Sequence, residues 1–288
     1  MFKIIQIDGG LGRVICAVPA INACARAHEQ GRVIVITGWP DVFWHNPFVC
    51  RVYPFSNHYL WDDVIRHGDF FCPEPYYSRD YYTQKHHLIE SFHFLLNGTA
   101  VKEPPAIYLT QDEIRWGAQL VEKIKCDLRV SKLCAYQPYG AGAVGCAISD
   151  STNRSLGTNL AELIPSRSTS IGFINCSHLP INCSNVWAQK FSIRELFAVV
   201  YSCDFVAAVD SSVAHIAAAF NKPCVSMLGA TFKKNVGYES HSVFQRDGFP
   251  KSYCPNRFHG FVDDNAGAMD YTSSMIDAIV ETITAWGS

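Results

Sequence analysis

The chain has 288 residues, of which 48% are hydrophobic and 17% are charged, and its formal net charge is −2. This composition excludes a disordered chain, the length suits two domains of about 130–150 residues each, and the charge provides no overall basic field for nucleic acid or an anionic membrane. The 12 cysteines are scattered, with no Cys-x-x-Cys pair. With no charged leader and no apolar run of about 18 residues, we expect free thiols, no membrane insertion and a cytoplasmic location.

The N-terminal elements predict a βαβ unit: an apolar strand over 3–7, a helix to about His28 and a strand over 32–37. The turn between the first strand and the helix reads Asp8-Gly9-Gly10-Leu11-Gly12-Arg13. Its glycines lack the full Gly-x-Gly-x-x-Gly spacing, and no strand-end acid follows about 20 residues later, which makes an NAD-dependent enzyme a weak alternative.

Residues 39–82 are dense in aromatic side chains, histidines and prolines, with short strands predicted over 48–55 and 69–72. The loop 73–82 carries four tyrosines and predicts a stacking surface for sugars or nucleobases; a loop packed on the sheet is the alternative. His86, His87 and His93 do not have the spacing of metal ligands, so no metal site is predicted.

Three further elements are predicted before the middle of the chain: a helix over 84–96, a strand over 107–109 and a helix opened by the capping box Thr110–Glu113 and ending near Lys125. The polar stretch 126–132 separates two predicted domains, 1–130 and 131–288.

The second domain begins with a strand over 133–137 and a glycine-rich loop over 138–159. The following elements are predicted in order: a strand over 171–175, a helix opened by the capping box Ser192–Glu195, an irregular region over 232–264 and a final amphipathic helix over 270–286 that packs back on the first domain.

The most informative stretch is 205–231. Phe205–Val209 is an apolar run typical of a strand buried on both faces, Ser211 and Ser212 open a helix, and a second buried strand over 224–228 ends in a turn of small residues. Amides at the start of such a helix carry the positive end of its dipole, and serine hydroxyls add donors for a phosphate. An ordinary doubly wound unit, with Asp-Ser-Ser as a simple N-cap, is the alternative.

Two segments give the chain a family resemblance. The motif Asp210-Ser211-Ser212-Val213-Ala214-His215, followed by an alanine-rich helix, Lys222-Pro223 and Gly229-Ala230-Thr231, resembles the heptosyltransferase-type glycosyltransferases (glycosyltransferase family nine). The opening Leu11-Gly12, with Pro19-Ala20 in the helix, resembles the same family. There an aspartate, the proposed catalytic base, follows Leu-Gly; here that position is Arg13.

The resemblance implies an α/β fold of two doubly wound Rossmann-like domains facing a cleft (GT-B), and inverting sugar transfer from a nucleotide-diphosphate sugar to an acceptor hydroxyl. Asp8 is the predicted base, with Glu74 as a second candidate and a turn-forming role as the alternative for Asp8. The predicted acceptor or phosphate contacts are Gly9, Gly10, Gly12 and Arg13. The predicted donor-binding residues are Gln137, Arg154, Asp210, Ser211, Ser212, His215, Gly229 and Thr231.

The resemblance implies no cofactor or metal beyond the nucleotide-sugar donor, and it leaves the acceptor open. A glycan such as a lipopolysaccharide core sugar is one acceptor; a hydroxymethylated base in duplex DNA, glycosylated by a phage-type enzyme that uses a UDP-sugar, is another. A non-catalytic nucleotide-sugar binding module is a third alternative, because the family's base is missing at Arg13.

Overall fold

The computed structural model describes residues 2–28, 33–140, 154–177, 179–250 and 267–287. The chain divides into two compact units, Met1–Thr110 and Gln111–Ser288, each built around a parallel β-sheet. None of the described helices is long and apolar enough to cross a lipid bilayer.

The elements of the first unit are β1 (Phe2–Ile7), α1 (Leu11–Ala27), β2 (Val33–Thr37), β3 (Val49–Tyr53), α2 (Leu60–Asp63), β4 (Gly68–Phe71), α3 (Arg79–Tyr82) and α4 (Leu88–Asn97). The strands of its described residues form one sheet in the order β3-β2-β1-β4, and all neighbours are parallel. β2 is buried at every position, as its apolar sequence predicts. Because the strand order reverses between β1 and β4, the carboxyl ends of these two strands open a crevice.

α1 and α4 pack on each other in the first unit. Asn97 Nδ2 donates to the carbonyl of Ala20 (3.0 Å) and ties the end of α4 to the middle of α1. α4 begins four residues later than the predicted 84, because Gln84 has a left-handed backbone (φ 60°) and His87 forms a capping box with Glu90. Gly98 ends the helix in the left-handed conformation (φ 74°).

The elements of the second unit are α5 (Gln111–Leu128), β5 (Leu133–Gln137), α6 (Arg154–Arg167), β6 (Gly172–Asn175), β7 (Val186–Ala188), α7 (Ile193–Ser202), β8 (Phe205–Val209), α8 (Ser212–Ala219), β9 (Cys224–Leu228), α9 (Lys233–Val236), β10 (His241–Gln245) and α10 (Ser273–Gly287). Its parallel strands lie in the order β10-β9-β8-β5-β6-β7 in the described residues. β6 and β7 continue on one side of β5, and β8 to β10 on the other, so the order reverses between β5 and β8.

The division between the units falls at Thr110, earlier than the predicted boundary, because α5 packs on α7 of the second unit. Glu113 of α5 accepts two hydrogen bonds from Arg194 of α7, at 2.7 Å each. Gly117 lets the two helices approach closely, since a Cβ there would lie 2.5 Å from the carbonyl oxygen of Ala198.

Other predictions differ from the structure at polar or short segments. The strand expected over 107–109 does not form, since the described residues 101–110 contain neither helix nor strand. The loop expected over 138–159 includes the start of α6, and 141–153 lies outside the described residues. The region expected to be irregular contains α9 and β10. α10 lies in the second unit, where Ile276, Ile279 and Ile283 join the core of its sheet, and its packing on the first domain stays a prediction.

Candidate functional site

Two sets of predicted site residues lie at the points where the strand orders reverse. In the first unit, Asp8 follows β1 and Glu74 follows β4. In the second unit, Gln137 ends β5 and Asp210 follows β8. Ligands of open α/β sheets bind outside the carboxyl ends of the strands at such reversals.

The turn after β1 is held from two sides. Gly9 has φ 93°, a left-handed backbone that suits glycine, and its carbonyl accepts a hydrogen bond from Trp39 Nε1 (2.9 Å). Asp8 is partly exposed, and its Oδ2 accepts from Gln6 Nε2 (3.3 Å). Gly10 caps α1 without a side chain, so the amides that open α1 remain facing this turn.

Arg13 is not a solvent-exposed residue of the first helical turn. Its side chain is only 9% exposed, and its Nη2 donates to Glu74 Oε2 (2.9 Å) and to the carbonyl of Pro73 (3.3 Å). The guanidinium lies 5.0 Å from the centre of the Tyr76 ring and 6.0 Å from that of Phe92. This ion pair occupies one edge of the Arg13 guanidinium, which was predicted to contact the acceptor or a phosphate.

Glu74, the second candidate for the catalytic base after Asp8, is held by two hydrogen bonds. Its Oε1 accepts from the backbone amide of Tyr76 (3.2 Å), and its side chain is 37% exposed. Both carboxylate oxygens are therefore held while one side stays open to solvent. The loop 73–82 also combines buried and exposed side chains: Tyr81 is buried, whereas Tyr77 and Tyr82 are exposed.

In the second unit, the start of α8 has the features expected of a phosphate site. Ser211 is the N-cap, with an extended backbone and no capping hydrogen bond from its side chain. Its Oγ is buried and has no hydrogen-bond partner among the described residues. Ser211 therefore occupies the N-cap position, but its side chain makes no capping bond. An anion bound beside the first amides of α8 would accept hydrogen bonds both from these amides and from the Ser211 hydroxyl.

A hydrogen bond joins the ends of β8 and β9. Thr231 Oγ1 donates to Asp210 Oδ2. Burial raises the pKa of the Asp210 carboxyl above its ordinary value, and the bond from Thr231 opposes that rise. At the end of β5, Gln137 Nε2 donates to the carbonyl of Tyr139.

The turn after β9 is fixed by residues that the sequence did not point to. Gln245 Nε2, at the end of β10, donates to the carbonyls of Thr231 (2.8 Å) and Gly229 (3.3 Å). The hydroxyl of Tyr271 lies 2.9 Å from the carbonyl oxygen of Leu228. Gln245 ends β10, a strand in the region predicted to be irregular, so no predicted strand end pointed to it.

His215 lies on α8 but its ring is buried. Its Nδ1 is 2.7 Å from the hydroxyl of Tyr238, and burial lowers its pKa to about 4. His241 also packs on the Tyr238 ring, with 5.0 Å between ring centres, and its Nδ1 lies 3.0 Å from Ser226 Oγ. The imidazole of His215 is therefore neutral near pH 7.

The last predicted donor residue, Arg154, is the first residue of α6, and its side chain lies outside what the structure describes. Within the described residues, no three His, Cys, Asp or Glu side chains gather as a metal site, and the expectation that no metal is needed stays a prediction.

Residues 175–246, which include α8 and the turn after β9, match the family model Glycosyltransferase family 9 (heptosyltransferase). Among solved structures, E. coli ADP-heptose lps heptosyltransferase II is similar with a TM-score of 0.65 and 12% identity, over 99% of this chain and 98% of the other. A glycosyl transferase family 9 protein from Veillonella parvula gives a TM-score of 0.66 and 12% identity over 99% and 97%. The chain has the GT-B fold of the heptosyltransferases. No curated protein matches it in sequence.

The family match and the shared fold support a glycosyltransferase. A further structure of the same fold is the dodecameric iron-containing heptosyltransferase TibC in complex with ADP-D-beta-D-heptose, with a TM-score of 0.63 and 12% identity over 99% of this chain and 76% of that one. In the glycosyltransferase described here, Asp210, Ser211, Thr231 and Gln245 all lie inside the matched region.

Proposed function

We propose that this glycosyltransferase moves a sugar, with inversion, from a nucleoside-diphosphate sugar to an acceptor hydroxyl. The observation that carries the proposal is the start of α8, where the buried, unpartnered Ser211 Oγ and the first helical amides lie at the strand reversal of the second unit. A diphosphate supplies the oxygens that these donors lack. No residue of this arrangement needs to become charged for the site to bind an anion.

In this proposal the donor binds to the second unit. The amides at the start of α8, with Ser211 and Ser212, hold the diphosphate and stabilise the charge that develops on it as the sugar leaves. Asp210 and Thr231, joined to each other, and Gly229, held through Gln245, shape the neighbouring strand ends. His215 contributes as a neutral side chain that ties α8 to Tyr238. Gln137 and Arg154 complete the proposed donor contacts.

The acceptor binds to the first unit near Gly9, Gly10 and Gly12. Its hydroxyl oxygen attacks the anomeric carbon of the donor sugar while the bond from that carbon to the diphosphate oxygen breaks. The bonding electron pair leaves with the diphosphate, and Asp8 takes the proton of the acceptor hydroxyl. A single displacement of this kind inverts the anomeric carbon and uses no covalent intermediate. Since the helix dipole and hydroxyl donors neutralise the phosphates, we propose that no metal is required.

The nucleotide is tested first by thermal unfolding with ADP, UDP, GDP, CDP and NAD, each in large excess, with adenosine as the control without phosphate. A ligand at about 100 times its Kd adds roughly 2.7 kcal/mol to the free energy of unfolding. We expect ADP to stabilise the protein, because similar folds are named with ADP-heptose as their donor or ligand. No shift with any diphosphate in a folded sample would refute the phosphate site.

Catalysis is tested by using NMR to measure the rate at which ADP is released from ADP-heptose. We expect Asp8→Asn to lower turnover by about 100-fold while ADP binding is retained. Equal turnover in Asp8→Asn and the wild type would argue for another base, and binding of ADP without any turnover would favour the binding module.

The proposed acceptor is a glycan. A panel that includes lipopolysaccharide core sugars and duplex DNA with hydroxymethylated bases separates the alternatives. A DNA acceptor predicts binding that weakens steeply as salt concentration rises, because phosphate contacts release counterions. A glycan acceptor predicts transfer with little dependence on salt.

A further inference from the structure

Three charged side chains near the strand reversal of the first unit influence the thiol of Cys72, whose pKa is raised first of all by burial. Asp8 and Glu74 raise the pKa of this thiol, in addition to the larger effect of burial, while Arg13 lowers it. Of the two carboxylates, only Glu74 is within ion-pair distance of Arg13 in the described structure.

The side chain of Arg13 lies beside Gly9, the residue that follows Asp8. A Cβ on Gly9 would meet Arg13 Cδ at 2.9 Å and Nη1 at 3.4 Å, so the absence of a side chain at Gly9 makes room for the arginine. Glu74 balances the charge of the guanidinium through an ion pair. Arg13 Nε is buried and has no hydrogen-bond partner among the described residues. A buried guanidinium that lost Glu74 would need another anion.

We propose that Glu74 is a positioning residue, which holds the guanidinium of Arg13 away from Asp8 so that Asp8 can accept the proton of the acceptor. The inference rests on the proposed function and explains how an arginine is accommodated beside the catalytic carboxylate. Without Glu74, Arg13 turns to Asp8 and pairs with it. A carboxylate neutralised by a buried guanidinium is a poor base, because the pair favours its ionised form.

The inference is tested first without the reaction, by a cycle of Asp8→Asn in the wild-type and the Glu74→Gln backgrounds. In the wild type, Asp8→Asn removes no ion pair and is expected to change Tm little. In Glu74→Gln, the same change removes the replacement partner of Arg13 and is expected to lower Tm by at least about 2 °C more. Equal Tm shifts in both backgrounds would overturn the inference, whatever the reaction.

The second arm measures turnover of ADP-heptose. We expect Glu74→Gln to lose at least about tenfold in kcat, and Arg13→Met/Glu74→Gln to regain most of it, because methionine fills the space beside the Tyr76 and Phe92 rings but carries no charge. Glu74→Asp, which keeps the anion, is expected to stay near the wild type. A double variant as slow as Glu74→Gln would contradict the inference.

Glu113→Gln is the matched control, because it breaks a comparable ion pair in which Arg194 is 8% exposed, outside the proposed reaction site. It is expected to lower Tm but to leave kcat unchanged. ADP binding measured by calorimetry separates the two proposals: if ADP does not bind, the proposed function fails, whereas if ADP binds and the Asp8–Glu74 cycle is additive, only the role of Glu74 fails.

Discussion

The hydroxyl of Tyr238 lies 2.7 Å from Nδ1 of His215, and this contact ties the first turns of α8 to the segment that follows α9. Both side chains are buried. The contact closes a stretch of 23 residues that contains β9 and the turn at Gly229 to Thr231. The proposed phosphate site therefore depends on a contact made at some distance along the chain from Ser211.

Replacing Tyr238 by phenylalanine removes this hydrogen bond and keeps the ring. We expect the free energy of unfolding, measured by urea denaturation at pH 7.5, to fall by about 1 kcal/mol, because the buried Nδ1 of His215 loses its partner. Tyr201→Phe, at an exposed tyrosine, is the control and is expected to change little. An unchanged stability in Tyr238→Phe would show that the hydroxyl contributes nothing to the fold.

Two buried histidines make stability depend on pH in the acid range. Burial lowers the pKa of His215 and of His241 from 6.5 to about 4, with His215 adding to the effect at His241. Between these pH values the unfolded chain binds more protons than the folded one. The stability that the two neutral histidines contribute is therefore complete above pH 6.5 and is lost as the pH falls toward 4. We expect a loss of roughly 3 kcal/mol for each histidine, as an order of magnitude.

The measurement is urea unfolding at a series of pH values from 7.5, above the window set by these pKa values, to about 4.5, near its lower end. His241→Gln removes one titrating group, and its stability is expected to fall less steeply with decreasing pH than that of the wild type. Parallel curves for the two proteins would show that His241 does not titrate in this window.

The sequence predicted β8, α8 and β9 because their signals are local. Phe205–Val209 is apolar throughout, and Pro223 ends the helix by excluding a further backbone hydrogen bond. The structure places these elements at the predicted positions. Strand β10 was missed because His241–Gln245 mixes polar and apolar residues and pairs with β9 alone in the described sheet.

The candidate site was only partly predictable, because its decisive contacts join distant residues. Arg13 and Glu74 are 61 positions apart, and no local pattern indicates that they pair. The motif around Ser211 predicted where a phosphate would bind, but not that its hydroxyl lacks a capping bond. Side-chain partners of this kind are set by the packing of strands that meet only in the folded sheet.

The thiol of Cys72 reports the charge of Asp8. Because Asp8 raises the pKa of this thiol, Asp8→Asn is expected to lower that pKa and to increase the fraction of thiolate near pH 8. Alkylation of Cys72 by iodoacetamide, followed by mass spectrometry, should then be faster than in the wild type. The exposed Cys50 and Cys126 are internal controls whose rates should not change. An unchanged rate at Cys72 would place Asp8 too far away to act on it.

Replacing Ser211 by alanine separates a structural role from a ligand-binding one. A side-chain N-cap would cost about 1 kcal/mol of stability when lost, but Ser211 makes no capping bond, so we expect Ser211→Ala to leave the free energy of unfolding nearly unchanged. If its buried hydroxyl instead serves the diphosphate, the Kd for ADP should rise by about five- to tenfold, as one lost hydrogen bond of about 1 kcal/mol implies. Calorimetry with ADP measures the affinity, and urea denaturation measures the stability. Ser192→Ala is the control with the opposite pattern, because Ser192 Oγ accepts a capping bond from the backbone amide of Glu195 at the start of α7. A loss of stability without a loss of ADP affinity in Ser211→Ala would return this serine to the role of an ordinary helix cap.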